Sequence, residues 1–339
     1  MREQQDTFPD IAVTEASPMG CTWQRYLEQL ADEHGGWTAL THLLIRRAGP
    51  SAGLPDDPGT IERGLRRLKT RGNGPGLQYG RWLLRHFGVP RPLDDTARWM
   101  GQYHSRFADL PLSLREAQLW LWDRPPIVES SAACWIHLGL ASVALRRRDL
   151  DSARLRLAHG SNAPHPAAQV EAALLEARLE MDAGQASRAD ELLTRAHAQI
   201  TGLPPGDDRD CYYARWADQR AYHLIHAGPV ARLSEAARLY QSIDACSPAV
   251  VALFRRHHGL AYCHWKLGHH DLAIRHARSA AQHAGDAGLL RCRVMALQLL
   301  ARIEPGEARE LHRRADRIIA ELDHADLECR TPNAPDLPL

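Results

Sequence analysis

Residues 254–288 read FRRHHGLAYCHWKLGHHDLAIRHARSAAQHAGDAG, and this stretch decides the fold. Apolar and small residues recur at helical spacing on both sides of a turn at Leu267-Gly268. Small residues allow two helices to approach closely, whereas the larger ones fill the space between successive helix pairs. The stretch therefore predicts two antiparallel helices joined by a short turn.

The same pattern recurs along the chain as a small turn, a polar pair and an alanine that opens a second helix. Clear copies are Leu150-Asp151-Ser152-Ala153 and Ala186-Ser187-Arg188-Ala189. The six repeat alanines are Ala117, Ala153, Ala189, Ala236, Ala273 and Ala308. Their spacings are 36, 36, 47, 37 and 35 residues, and the longest interval includes Gly202–Asp208, whose Gly and Pro content marks an insertion. A period of this size predicts an array of helical repeats.

Residues 254–288 resemble a unit of the tetratricopeptide-repeat (TPR) family, whose period is about 34 residues. The features shared with the family are a large–small pair in the first helix, a glycine at the turn, and small residues in the second helix: Leu260-Ala261, Gly268, Ala273 and Ala280. His264 stands where the family usually has tyrosine, and Ala277 stands where it usually has an aromatic residue. Other units keep the repeat alanine and little else.

This resemblance covers roughly the last two-thirds of the chain and implies an all-α fold. The expected architecture is a right-handed α-solenoid of about six TPR-like hairpins over residues 93–326, preceded by a small N-terminal helical bundle over residues 21–92. Residues 1–20 and 327–339 are predicted to be disordered tails. The alternative is a helical bundle without repeats.

Four apolar stripes at helical spacing predict the N-terminal bundle. They are Trp23, Tyr26, Leu27 and Leu30; then Trp37, Leu40, Leu43 and Leu44; then Ile61, Leu65 and Leu68; then Tyr79, Trp82, Leu83 and Phe87. Gly-rich or Pro-rich segments separate the stripes, and Thr60 is predicted to cap the third helix.

Positive charge is concentrated in the same bundle. Residues 61–91 contain eight cations against the single acid Glu62, although the whole chain has a net charge of only +1. The candidate basic patch for nucleic acid or an acidic partner is Arg63, Arg66, Arg67, Lys69, Arg71, Arg81 and Arg85. A basic helix face of this kind suits DNA binding. A solvated face without a partner is the alternative interpretation.

The details of this bundle argue in both directions on DNA. The layout resembles bacterial regulators in which a helix-turn-helix domain precedes a TPR sensor, and also a TPR regulator family whose N-terminal helices contact response-regulator proteins. About eleven loop residues, Gly49–Gly59, separate the second and third helices, whereas a helix-turn-helix has three or four. The basic helix also lacks an Asn or Gln to read adenine.

The resemblance implies that the first helix of each hairpin lines a concave groove and contacts a ligand at five fixed places. Carried over by position, the predicted partner-binding residues are Arg215, Asp218, Tyr222, His226, Arg255, His258, Tyr262, Trp265, Lys266 and Arg293. Aromatic rings beside cations suit the binding of a peptide or protein. The alternative is that Tyr262 and Trp265 only pack between hairpins.

Seven histidines and a cysteine in one repeat raise the question of a metal site: His257, His258, His264, His269, His270, His276, His283 and Cys263. A metal site needs three or four converging ligands, which this spacing does not predict. The phosphate-cradling G-x-x-x-x-G-K and the zinc motif H-E-x-x-H are absent. We therefore predict no metal, no cofactor and no catalytic residue.

Composition gives a location and completes the functional hypothesis. The seven cysteines form no C-x-x-C pair, which is typical of thiols in a reducing compartment. The first twenty residues lack an apolar signal-peptide core, and no run of eighteen apolar residues exists. We expect a cytoplasmic regulator that binds a peptide or protein in its groove, with the basic bundle as an output module for DNA or a protein and with no membrane partner. The alternatives are a non-regulatory assembly scaffold and an unrecognised enzyme or accessory factor.

Overall fold

The computed structural model describes residues 22–50, 53–70, 77–160, 163–226 and 232–322, where the chain is helical without a β-strand. This confirms the all-α prediction. The α-helices of the described residues are α1 (Thr22–His34), α2 (Trp37–Ala48), α3 (Pro58–Thr70), α4 (Leu77–Phe87), α5 (Arg91–Gly101), α6 (Leu112–Trp122), α7 (Ala133–Arg146), α8 (Leu150–Gly160), α9 (Pro166–Asp182), α10 (Ala186–Thr201), α11 (Asp207–His226), α12 (Leu233–Ser242), α13 (Val250–Lys266), α14 (His270–Asp286), α15 (Leu290–Ile303) and α16 (Ala308–Leu322). None of these helices has the length and apolar character needed to cross a membrane. The predicted tails, residues 1–20 and 327–339, lie outside the described residues.

The chain divides into two compact units, Met1–Thr96 and Ala97–Leu339, and the division falls within α5. We call them the first and the second unit. In the first unit, α1 packs on α2 and α3, and α4 packs on α2 and α3. The predicted stripes supply its core, since Trp23, Leu27, Leu40, Leu65 and Trp82 are all buried.

A close contact between α3 and α4 fixes their separation. A Cβ atom added at Gly64 would lie 2.0 Å from Cζ of Tyr79, so the tyrosine ring packs directly against the α3 backbone. Only a residue without a side chain permits this approach.

Asp57 caps α3, which corrects the prediction that Thr60 does so. The Asp57 carboxylate accepts hydrogen bonds from the backbone N–H groups of Gly59 (3.1 Å) and Thr60 (2.9 Å). Pro58 takes the first helical position, where its missing N–H costs nothing. The helix therefore begins two residues before Thr60, because an aspartate followed by proline is the stronger start signal.

The second unit contains five consecutive helix pairs: α7 with α8, α9 with α10, α11 with α12, α13 with α14, and α15 with α16. The first helix of each pair also contacts the first helix of the next pair. The stretch that decided the fold, residues 254–288, forms most of α13, its turn and all of α14, as predicted.

Three of the pairs share one turn geometry. The middle residue of the turn has a positive φ, of 59° at Arg148, 76° at Gly184 and 80° at Gly268. The next N–H then donates to the carbonyl five residues earlier, as from Gln185 to Glu180. This Schellman motif satisfies the last carbonyls of the first helix and reverses the chain within three residues.

Four repeat alanines occupy equivalent places in the structure. Ala153, Ala189, Ala236 and Ala273 are each the fourth residue of a second helix and are fully buried. In α14 a whole stripe of alanines is buried, namely Ala273, Ala277, Ala280 and Ala284. The small side chains bring α14 close to α13.

The repeat prediction is wrong at Ala117 and less regular at Ala308. Ala117 is exposed in the middle of α6, because that helix begins at Leu112 instead of near the alanine. Ala308 is half-buried and is the first residue of α16. The described residues therefore contain five pairs after α6, where about six hairpins were expected.

Candidate functional site

An irregular segment follows α5 and lies against the first helices of all five pairs. We call Gln102–Leu110 the crossing segment; it includes one short 3-10 turn, Arg106–Asp109. Its contacts with α7, α9 and α11 are these: Arg146 Nη1 donates to the Ala108 carbonyl (3.3 Å), the Tyr103 N–H donates to Glu171 Oε2 (3.3 Å), and the His104 ring bonds Asp208 (3.1 Å).

The crossing segment continues these contacts onto the last two pairs. The Arg291 N–H of α15 donates to Asp109 Oδ1 at 3.3 Å. Arg106 Nη1 donates to the carbonyl of Ala287, in the turn between α14 and α15. Arg255 of α13 faces the Tyr103 ring at 5.8 Å. A single stretch of polypeptide thus lies across the whole series of first helices.

Tyr103 is the centre of these contacts. The guanidinium carbons that face its ring lie at 4.3 Å (Arg291), 4.4 Å (Arg215), 5.3 Å (Arg146) and 5.8 Å (Arg255) from the centroid. Burial alone raises the pKa of the Tyr103 phenol, but the charges of Arg291, Arg255, Arg215 and Arg178 outweigh it and lower that pKa. The ring therefore sits in a strongly positive environment.

Two buried ion pairs hold the arginines in place. Arg215 pairs with Glu171, and both side chains are almost completely buried, at 3% and 0% exposure. Arg255 pairs with Asp218, which also accepts a hydrogen bond from the Tyr240 hydroxyl at 2.8 Å. Burial lowers the pKa of Arg255, but the Asp218 charge more than compensates, and the net pKa is raised. Arg255 therefore stays charged.

Three of the buried charged residues share the same spacing from a buried alanine. Glu171, Arg215 and Arg255 each lie six residues before a fully buried alanine, namely Ala177, Ala221 and Ala261. Equivalent positions in successive stacked helices face the same side of the array. The shared spacing explains why one acid and two cations from three different helices converge beneath Tyr103.

Two buried histidines beside the site are neutral. Burial, together with the nearby charges of Arg215 and Arg98, lowers the pKa of His104 to about 3. Burial likewise lowers the pKa of His258 to about 4. The His258 ring stacks on Phe254 at 5.3 Å, and its buried Nε2 has no hydrogen-bond partner among the described residues.

The predicted groove residues separate into two groups. Arg215, Asp218, Arg255 and His258 come together beneath the crossing segment and are largely buried. The second group lies near the ends of α11 and α13: Tyr222 with His226 (ring centroids 4.2 Å), and Tyr262 with Trp265 (6.1 Å) beside Lys266, whose Nζ is 4.4 Å from the Trp265 ring. Tyr262 and Trp265 also pack on the core of the last two pairs.

Sequence reasoning missed three residues of this site: Tyr103, Glu171 and Arg291. Glu171 has a usable signal, its distance from Ala177. Arg291 lies two residues before the predicted Arg293, which is half-buried in α15. Tyr103 has no periodic signal, because it belongs to an irregular segment before the repeats.

The histidine-rich repeat forms a chain of ring contacts along α13 and α14. His257 Nδ1 lies 3.0 Å from His276 Nδ1, the His276 ring stacks on His264 at 5.6 Å, and His283 and His269 extend the chain at either end. Within the described ranges, no three His, Cys, Asp or Glu residues form a group suited to a metal ion.

Two buried cysteines and one short sequence motif bear on catalytic chemistry. Burial raises the pKa of Cys211 and of Cys263 to about 12, so both remain thiols near neutral pH. Residues 49–53, Gly-Pro-Ser-Ala-Gly, have the G-x-S-x-G spacing of a nucleophile elbow. That motif requires a preceding strand, whereas residues 49–53 follow helix α2.

The basic patch of the first unit is partly neutralised. Arg63 pairs with Asp57 (3.4 Å), Arg66 with Glu62 (2.8 Å) and Lys69 with Glu28 (2.8 Å). Arg66 and Lys69 also face the Trp37 ring, at 4.8 and 5.8 Å. Arg67, Arg81 and Arg85 are exposed, and Arg71 lies outside the described residues.

Comparisons of the chain with protein-family models, with curated proteins and with solved structures found no match in any of the three.

Proposed function

We propose that the five helix pairs form a right-handed α-solenoid of TPR-like units, and that its concave surface binds a polypeptide segment of a partner. The observation that carries this proposal is the crossing segment, because the first helices already hold a stretch of irregular polypeptide. They bind it through its main chain, as Glu171 does at the Tyr103 N–H and Arg146 does at the Ala108 carbonyl.

The second group of groove residues supports the same function. Tyr222, His226, Tyr262, Trp265 and Lys266 place aromatic rings and a cation on the first helices of two neighbouring pairs. Aromatic residues and cations are enriched among the residues that contribute most to protein-binding interfaces. A partner peptide would lie along these side chains in the direction in which the helix pairs follow one another.

A selection of linear peptides tests this function. A phage-displayed library of random peptides is selected against the full chain, and recovered peptides are measured by fluorescence anisotropy. We compare wild type with His226→Glu/Lys266→Glu, two exposed groove positions, and with Arg313→Glu/Arg317→Glu, two exposed positions of α16. We expect the groove variant to lose about ten-fold in affinity, equivalent to about 1.4 kcal/mol, and the α16 variant to bind as wild type does.

Two results would contradict peptide binding in the groove. One is a library that yields no binder, which would favour an assembly scaffold that uses other surfaces or an unrecognised enzyme or accessory factor. The other is a set of peptides that bind all three proteins equally, which would place the binding surface elsewhere.

A second proposed role concerns the first unit, as a regulatory output module that binds DNA. The exposed face of α3 carries Arg63, Arg66 and Arg67 side by side, and such a face attracts phosphate groups. Ion pairs with Asp57 and Glu62 reduce the net charge of this face. Arg81 and Arg85 of α4 are further exposed cations of the first unit.

Charge reversal tests this second role. The triple variant Arg63→Glu, Arg66→Glu, Arg67→Glu is compared with Arg309→Glu, Arg313→Glu, Arg317→Glu, which makes the same charge change on exposed positions of α16. Retention of duplex DNA that falls with salt and is lost only in the α3 variant would support it. Equal retention by both variants, or none by wild type, would exclude the α3 face as a DNA surface.

A further inference from the structure

Residues Gln102–Arg106 of the crossing segment, which lie against the first helices, form a compact turn. The Ser105 hydroxyl donates to the carbonyls of Trp99 (2.5 Å) and Gln102 (2.9 Å), and the Gln102 N–H donates to the Arg98 carbonyl (2.8 Å). These bonds tie the turn to the end of α5. They do not depend on the helix pairs.

The next residues are fixed independently of the turn. Phe107 is fully buried, with its ring 5.0 Å from Trp99 and 5.6 Å from the Arg115 guanidinium. Gln102–Arg106 thus lies between two fixed points, α5 on one side and Phe107 on the other.

A second set of contacts joins Gln102–Arg106 to the helix pairs. They are hydrogen bonds and cation–π contacts, such as the Tyr103 N–H with Glu171 (3.3 Å) and Gln102 Nε2 with the Tyr212 hydroxyl (3.4 Å). A ligand that supplies an aromatic ring and an N–H group can make the same contacts. Gln102 is buried, Tyr103, His104 and Ser105 are partly buried, and Arg106 is exposed.

We propose that Gln102–Arg106 is an internal ligand of the helix-pair surface, and that a partner segment containing a tyrosine replaces it. The incoming ring takes the place between Arg215 and Arg291, 4.4 and 4.3 Å from the present ring centre. The incoming N–H donates to Glu171. This inference rests on the proposed peptide-binding function and adds to it the class of partner and the step that exposes the site.

The geometry of the site selects for an aromatic ring. Arginine side chains approach the ring from four helices, α7, α11, α13 and α15, so the ligand needs an aromatic face. Tyrosine is the residue that supplies this ring in the present structure, so a partner tyrosine can make the same contacts with Arg215 and Arg291. Because Gln102–Arg106 is tethered to the site, it competes with any partner at an effective concentration of about a millimolar. A partner segment must therefore bind more favourably than Gln102–Arg106 does at that concentration.

The experiment uses the full chain and a labelled peptide with the sequence of residues 101–111, GQYHSRFADLP. Fluorescence anisotropy measures its binding to wild type, to Tyr103→Ala and to Tyr103→Phe. We expect Tyr103→Ala to bind the peptide at least about ten-fold more tightly than wild type, because the internal competitor is weakened. Tyr103→Phe retains the ring and should stay close to wild type. A peptide with alanine in place of its tyrosine should not bind any of the three.

Equal binding of the peptide to wild type and Tyr103→Ala, or no binding to a folded Tyr103→Ala, would overturn the proposal. If random peptides still bind the wild-type groove in that case, the peptide-binding function stands and only the internal ligand is refuted. Hydrogen exchange on wild type gives a second test that needs no variant. Release predicts that the Tyr103 N–H exchanges at least about ten-fold faster than core amides of α13; equal protection would show that the segment does not leave.

Discussion

The guanidinium carbon of Arg291 lies 4.3 Å from the centre of the Tyr103 ring. Tyr103 precedes the first helix pair, whereas Arg291 belongs to the last one, so this contact joins the two ends of the series. Arg215, from the middle pair, faces the same ring at 4.4 Å. The Tyr103 ring therefore contacts helix pairs that are not adjacent in the series.

The first prediction concerns that side chain. Tyr103→Ala should lower the free energy of unfolding by about 2–3 kcal/mol, since it removes an aromatic ring and several desolvated cation–π contacts. Tyr103→Phe should cost less than about 1 kcal/mol, because the ring remains. Urea unfolding followed by circular dichroism measures both. Equal losses for the two variants would show that the phenol, and not the ring, makes the stabilising contact.

The second prediction concerns the buried pair of Glu171 and Arg215. Glu171→Gln and Arg215→Met should each cost about 3–5 kcal/mol, since each leaves an uncompensated charge in a desolvated place. The double variant Glu171→Gln/Arg215→Met should cost clearly less than the sum of the single changes. A double-mutant cycle in urea tests this. Additive losses would mean that the two charges do not stabilise one another.

The third prediction is a loss of stability in acid. His104 has a folded-state pKa of about 3, lowered by burial and by arginine charges, against about 6.5 in the unfolded chain. As the pH falls below about 6.5, only the unfolded chain takes up this proton. Stability should therefore decrease from pH 6.5 towards pH 3, by up to about 1.4 kcal/mol per pH unit for this group, and stay constant above pH 7.5 on its account.

His104→Gln provides the measurement for that effect. Its urea midpoint should depend less steeply on pH than that of wild type, by up to one proton. The control is His270→Gln, an exposed histidine at the start of α14, which should keep the wild-type slope. Identical slopes in all three proteins would mean that folding does not change the pKa of His104.

The contrast between the helix pairs and Tyr103 shows how far the sequence can predict this protein. The helix pairs were predictable because the residues that indicate them lie close together in the sequence. Gly184 marks the turn of one pair, and the repeat alanine Ala189 follows five residues later in its second helix. The role of Tyr103 was not predictable, because the arginines that contact it come from helices far apart in the sequence and its own segment lies outside the repeats. The sequence predicts Arg293 in the last unit, whereas Arg291, two residues earlier, faces the Tyr103 ring.

The fourth prediction compares two helical glycines. A Cβ atom at Gly259 would lie 2.1 Å from Cε1 of Tyr240, whereas one at Gly285 would meet nothing within 4 Å. Gly259→Ala should therefore cost about 1–3 kcal/mol through overpacking, and Gly285→Ala should stabilise by about 0.5–1 kcal/mol through helix propensity. Because the Tyr240 hydroxyl donates to Asp218, Gly259→Ala should also weaken the Asp218–Arg255 pair. Thermal unfolding of the two variants measures the difference, and a shift of the same sign in both would contradict it.

The fifth prediction concerns the turn between α7 and α8. Arg148 has a φ of 59°, whereas the equivalent positions of two other turns are occupied by glycine, at Gly184 and Gly268. A side chain costs about 1–2 kcal/mol there, and part of that is offset by the greater freedom of glycine in the unfolded chain. Arg148→Gly should therefore stabilise the protein by about 0.5–1 kcal/mol. Gly184→Ala should destabilise the protein by a similar amount, because it places a side chain at a positive φ. An added Cβ there meets nothing within 4 Å, so steric contacts do not contribute to the effect. Urea midpoints decide the matter, and a loss of stability in Arg148→Gly would mean that the arginine side chain contributes more than its backbone conformation costs.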